Sequence, residues 1–147
     1  VVFGLGVLPL EARVLVPVSG MVVGNSLRVV VVAATRLVDG LRERAGEVEA
    51  LLALGFRPTR AVRDVASDAL GLSLRPQLET TRSVGMVFLP GALTGLILAG
   101  VDPIDAVLIQ AALLFLILGT AAVAGLVVVV VGVRPFLVDG RFEPPIN

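Results

Sequence analysis

Hydrophobic and polar positions divide this chain into three long apolar runs and one extended polar stretch. The runs cover 14–35, 84–100 and 104–133, near or above the ~20 residues that cross a bilayer as a helix. Between the first two lies EVEALLALGFRPTRAVRDVASDAL, 47–70, which splits at Gly55 and Pro58. Before the split, Val48, Leu51 and Leu52 recur at helical spacing; after it, Val62, Val65, Ala66, Ala69 and Leu70 form one apolar stripe. Glycine is a natural helix stop and proline suits a helix's first turn, so the pattern predicts two short amphipathic helices joined by a tight turn.

The runs carry internal marks. Pro17 falls near the start of 14–35, where a proline does least harm. Gly20 and Gly24, four apart, predict a close-packing face, with Asn25 and Ser26 following at mid-depth. Arg28 lies about two turns inside Arg36. It reads either as an arginine snorkelling to the surface or as a charge facing a water-filled pathway. The run 84–100 is interrupted at Pro90-Gly91, and Gly91, Gly95 and Gly100 share one side. That pattern suits a discontinuous transporter helix or an ordinary kinked one. In the turn 101–105, Asp102 can cap the next helix, Pro103 fits its first position, and Asp105 can complete a capping box. The run 104–133 is ~45 Å long as a helix and should tilt or protrude from the membrane. Gln110 is the main hydrogen-bonding side chain in its outer half, and the valines 127–131 read as lipid-facing filler. The tail 134–147, broken by Pro and Gly, is expected to be poorly ordered.

Composition agrees with a membrane setting. The chain is 56% hydrophobic and 16% charged, with a mean hydropathy of +1.00, far from soluble-domain averages. Net charge is zero and aromatics are 4%, which points away from nucleic acid. With neither Cys nor His, thiol chemistry, His/Cys metal cages and histidine bases are excluded within this chain, and no cofactor is expected on it. Eight of the twelve arginines fall in 36–82 and none in 101–105. By the positive-inside bias, the polar stretch is cytosolic and the short turn outside. The expected organisation is thus an all-α, multi-pass integral membrane bundle. It has the remnant of an upstream helix at 1–10, spans at 14–35, 84–100 and 104–133, a cytosolic helical loop at 36–82 and a cytosolic tail.

One motif carries function. Glu49-Ala50 followed by Gly55, between membrane helices, resembles the E-A-A-x-x-x-G coupling loop of ABC-transporter permeases, with Leu51 in place of the second alanine. Three blocks sharpen the likeness: GMVVGNSL at 20–27, VGMVFLPGALTG at 84–95 and ILAGVDPIDAV at 97–107. In this order they resemble the Fet-type (UPF0014) family of iron-exporting ABC permeases, over nearly the whole chain and corresponding to the C-terminal portion of a permease. The resemblance implies a permease subunit without enzymatic activity of its own, in a bacterial inner or plasma membrane. It also implies an ABC ATPase partner that binds ATP and magnesium, a second permease copy, and a metal ion, iron foremost, as cargo. Glu49, Ala50, Gly55, Phe56, Val62 and Val65 would form the coupling loop, with Phe56, Val62 and Val65 as anchors in an ATPase groove. Asn25, Ser26, Arg28, Thr94 and Gln110 would line the pathway, or pair between helices. Gly20, Gly24, Pro90, Gly91 and Gly95 would serve packing or hinging. The sequence departs from the family pattern at Ala92-Leu93, where two Met are usual, at Leu96, where Gln is usual, at 75–79 (RPQLE for I-P-x-I-N), and at Arg28, usually small or polar. A non-transporting membrane scaffold whose loop binds a cytosolic partner is the alternative.

Overall fold

The computed structural model describes residues 12–83, 91–138 and 141–145. Two helices dominate it: α1 (Ala12–Glu43) and α6 (Pro103–Gly132), roughly 48 and 45 Å long. Between them come α2 (Ala45–Ala53), α3 (Pro58–Ala61), α4 (Arg63–Ser83) and α5 (Gly91–Leu98). A 3-10 turn (Arg134–Phe136) follows α6. It leads into a hairpin of β1 (Leu137–Val138) paired antiparallel with β2 (Arg141–Phe142).

Four-residue spacing sets the packing. On α1, Val29, Ala33, Leu37 and Leu41 make one buried stripe, and Val65, Ala69 and Ser73 make another on α4. On α6 the buried side carries Ala106, Gln110, Leu113, Ala121, Gly125 and Val129. Residues four apart lie on one helix face, so the three stripes meet as a three-helix seam. The contacts fix the directions. Val18 packs with Leu113, Val29 meets Gly125 and Leu37 meets Gly132, so α1 and α6 run parallel. Val65 meets Gly40 while Ser73 reaches the Val29 level, so α4 runs antiparallel to both.

The helices approach closely at glycines that the sequence pattern did not single out. A Cβ built on Gly40 would lie 2.9 Å from Val65 Cγ1, and one on Gly132 would lie 2.9 Å from Leu37 Cδ2. One on Gly125 would lie 3.0 Å from both Leu70 Cδ1 and Val29 Cγ1. By contrast, a Cβ on Gly20, Gly24 or Gly95 would meet nothing within 4 Å. Among the described residues the expected packing face at Gly20 and Gly24 is therefore open, and the glycines that admit a neighbouring helix are Gly40, Gly125 and Gly132.

Several boundaries differ from the expectation. Helix α1 runs past Thr35 to Glu43 because Leu37 and Leu41 extend its apolar stripe into the same core. The stretch 36–82 is not one loop: its second half, α4, returns along α1 and α6, leaving α2, the Gly55 turn and α3 to bridge α1 and α4. After Gly55 there are two helices rather than one, separated at Val62. The described part of the tail packs against the helices. Phe142 is 9% exposed in the core with Leu41 and Val48, the Glu143 N–H donates to Phe136 O at 2.9 Å, and Arg42 Nε donates to Pro145 O. Among the valines 127–131, Val129 turns inward at 4% exposure while Val127, Val130 and Val131 face out. The remnant at 1–10, Pro90 and the first half of 84–100 lie outside the described residues.

Candidate functional site

Two groups of residues stand out, one at the turn between α1 and α4 and one in the seam between those helices. The turn is built by local chemistry. Gly55 adopts φ +84°, and the N–H groups of Gly55 and Phe56 donate to Leu52 O and Leu51 O, the bonding of a glycine-capped helix end. Pro58 then opens α3 from an extended Arg57. Val48, Ala61, Val62 and Val65 point into the core beneath, all at 4% exposure or less. Val62 and Val65 thus fasten the turn to the bundle and are not available as docking anchors; their apolar stripe is spent on α1 and α6.

What the turn presents outward is Glu49, Ala50, Leu54, Phe56, Arg57 and Arg60. Leu54 is 75% exposed and Phe56 40%, and the Arg60 guanidinium lies 5.4 Å over the Phe56 ring. A cation over an aromatic face is attracted by the ring quadrupole, which holds Phe56 at the tip. The sequence does not separate Leu54 from Leu51 and Leu52, and only the fold shows that the core takes those two and leaves Leu54 out.

A charged clamp fixes the base of the turn. Arg44, between α1 and α2, reaches Glu47 Oε2 at 2.8 Å and Asp68 Oδ2 of α4 at 3.0 Å. Its hydrogen bond holds the Glu47 carboxyl below the ordinary glutamate range, and Glu47 raises the Arg44 guanidinium in return. The i,i+3 half of this clamp was visible in the sequence; nothing there pointed to Asp68.

In the seam, a cavity of about 160 Å³ opens between α1 and α4. Asn25 and Arg28 reach it from α1, and Ser73, Gln77 and Thr80 from α4, above Val29. Of the expected pathway residues, then, Asn25 and Arg28 come together. Ser26 does not line this cavity, and Thr94 is exposed on α5. Gln110 is 8% exposed on α6, and its Oε1 has no hydrogen-bond partner among the described residues. Asp102 caps α6, its Oδ1 accepting the Ile104 N–H at 2.9 Å. Among the described residues no group of three carboxylates is placed to hold a metal ion.

Sequence comparison assigns the family. The uncharacterised protein family UPF0014 matches residues 1–137. The chain belongs to UPF0014. It is 38% identical over 122 residues to the UPF0014 membrane protein YjkA of Bacillus subtilis, covering 83% of this chain and 49% of that protein. It is 36% identical to Protein ALUMINUM SENSITIVE 3 of Arabidopsis thaliana, covering 83% of this chain and 45% of the relative. It is 30% identical over 121 residues to a protein of Escherichia coli named Probable iron export permease protein FetB, covering 82% and 47%. No solved structure matches the chain. The chain spans about half the length of the relatives it matches. UPF0014 membership and the apolar helices 16–43 and 103–136, each long enough to cross a bilayer, make this a helical membrane protein.

Proposed function

We propose that this chain is part of a multi-pass permease subunit of an ABC transporter, seated in a bacterial inner or plasma membrane. In this reading it exports iron or another metal ion, driven by ATP hydrolysed on a partner subunit. The observation that carries the reading is the turn Ala45–Ala61. A short exposed helical cap bridges the antiparallel helices α1 and α4, is tied to both by the Val48–Val62–Val65 core, and is braced by Arg44. A force applied to such a cap moves both helices together, which is what an ATPase closing on ATP requires of its docking element. Exposed Leu54 and Phe56 supply the apolar anchors, and Glu49 and Arg57 supply the polar rim. The relative named as an iron export permease supports the cargo assignment.

Magnesium and ATP belong to the partner in this scheme, and a second permease copy completes the pathway. The test is co-reconstitution of the permease with its ATPase in vesicles, comparing wild type with Glu49→Ala and Gly55→Ala. The reading expects lost ATP-dependent iron export in both variants. Normal subunit binding and normal transport in both would remove the coupling role. ATP hydrolysis that responds to the permease but not to iron would leave the permease and replace only the cargo. If the permease neither binds nor stimulates any ATPase, the chain is a membrane scaffold.

A further inference from the structure

We infer that the cavity between α1 and α4 is a binding site for an oxyanion, a carboxylate or phosphate group held by Arg28. Its place on a transport route rests on the permease reading; anion binding at the site does not. Arg28 lies eight residues before Arg36 on α1, about 12 Å along the axis and inside the apolar helix 16–43. Side chains on a helix lean toward its N-terminus, so Arg28 leans away from the Arg36 end, toward Asn25. It lines the cavity together with Asn25 and Val32 of α1 and Gln77 and Thr80 of α4.

No carboxylate lines this cavity, and Arg28 makes no ion pair among the described residues. The neighbouring hydroxyls are already committed. Ser73 Oγ donates to Leu70 O and Thr80 Oγ1 to Pro76 O, each within its own helix. Asn25 Nδ2 donates to Met21 O. Among the lining side chains, the Arg28 guanidinium with its fork of N–H donors, the Gln77 carboxamide and the second N–H of Asn25 make no hydrogen bond among the described residues. A set of donors with one full positive charge and no negative one matches an oxyanion, which accepts two parallel bonds from arginine. The same set repels a bare metal dication. A volume of about 160 Å³ is small beside whole-ligand pockets, so the cavity takes the anionic group of a larger molecule or one small anion.

Two sources can supply that group: a solute crossing the membrane or a lipid phosphate. The chain is placed in nanodiscs of phosphatidylcholine and titrated with citrate, then with inorganic phosphate, at constant ionic strength. Parallel nanodiscs contain phosphatidylglycerol and no soluble oxyanion. Affinity is read by calorimetry, and the thermal midpoint by circular dichroism. Variants are Arg28→Gln, Arg28→Lys and, as an exposed control outside the cavity, Arg75→Gln.

The proposal expects citrate or phosphate to bind wild type and Arg75→Gln alike. Binding should weaken about tenfold or more in Arg28→Gln, with partial recovery in Arg28→Lys. A midpoint shift seen only with phosphatidylglycerol, and lost in Arg28→Gln, upholds the oxyanion site and assigns it to a lipid headgroup. Equal responses of wild type and Arg28→Gln in both arms, or no response in either, overturn it. None of these readings involves the ATPase, so a failed anion site and a failed permease assignment are distinguishable.

Discussion

Replacing Gly40 by alanine tests one of the two closest glycine contacts among the described residues. An added Cβ would stand 2.9 Å from Val65 Cγ1, nearer than carbon atoms pack. Val65 is 4% exposed and β-branched, so its rotamer has little freedom to yield. Two effects oppose each other. Alanine in a helix interior is favoured over glycine by about 1 kcal/mol, and overpacking a filled seam costs about 1–3 kcal/mol. The net expectation is a loss of about 0–2 kcal/mol. The background decides the cause: with Val65→Ala already present the obstructing methyl is gone, and Gly40→Ala should then stabilise by about 1 kcal/mol. The coupling between the two changes is thus about 1–3 kcal/mol, and the cost of Val65→Ala alone cancels from the cycle. Gly24→Ala, whose Cβ meets nothing, is the control and should stabilise in any background. Equilibrium unfolding in detergent micelles, followed by far-ultraviolet circular dichroism, gives all four corners. If Gly40→Ala stabilises equally with and without Val65, the α1–α4 contact is wrong, and with it the rigidity argued for the turn.

Three further outcomes follow from the geometry. Gly55→Ala forces a side chain into φ +84° and should cost about 1–2 kcal/mol in the same unfolding assay. Phe142→Ala frees the tail from the core and should speed hydrogen exchange of the Glu143 N–H, which donates to Phe136 O, several-fold, with the helices otherwise protected. The Glu47 carboxyl is lowered by Arg44, so its contribution is present above the ordinary glutamate value of 4.5 and is lost as pH falls through the lowered value. Wild type should therefore unfold later than Glu47→Gln at neutral pH, and that advantage should vanish on acidification; an advantage that persists at low pH would assign the effect to packing.

Local chemistry was legible in the sequence. Gly55 with Pro58, and Asp102 with Pro103, mark helix ends through bonds that form within a few residues, and the structure places the caps there. Choice of partner was not. An apolar stripe at Val62 and Val65 shows that something covers it, but a docking subunit and the chain's own α1 satisfy the pattern equally well. Gly20 and Gly24 have the right spacing for helix packing, yet the seam is made at Gly40, Gly125 and Gly132, which no short motif links. The return of α4 escaped notice because its polar residues look like those of a loop. Ser73, Gln77 and Thr80 gain their place only once α4 lies against Asn25 and Arg28. Asp68, which completes the Arg44 clamp from 24 residues away, belongs to the same class of long-range fact.

The central claim is that the exposed tip of the α2–α3 turn docks on an ATPase. The chain contains no cysteine, so one introduced thiol gives a unique probe. Leu54→Cys places it at the tip, and Leu98→Cys places it at an equally exposed position on α5. Each variant is co-expressed with the partner ATPase and treated with a short thiol-reactive crosslinker in membranes. The account predicts a permease–ATPase product from Leu54→Cys that changes in yield with ATP, and none from Leu98→Cys. A product from Leu98→Cys with none from Leu54→Cys would contradict it.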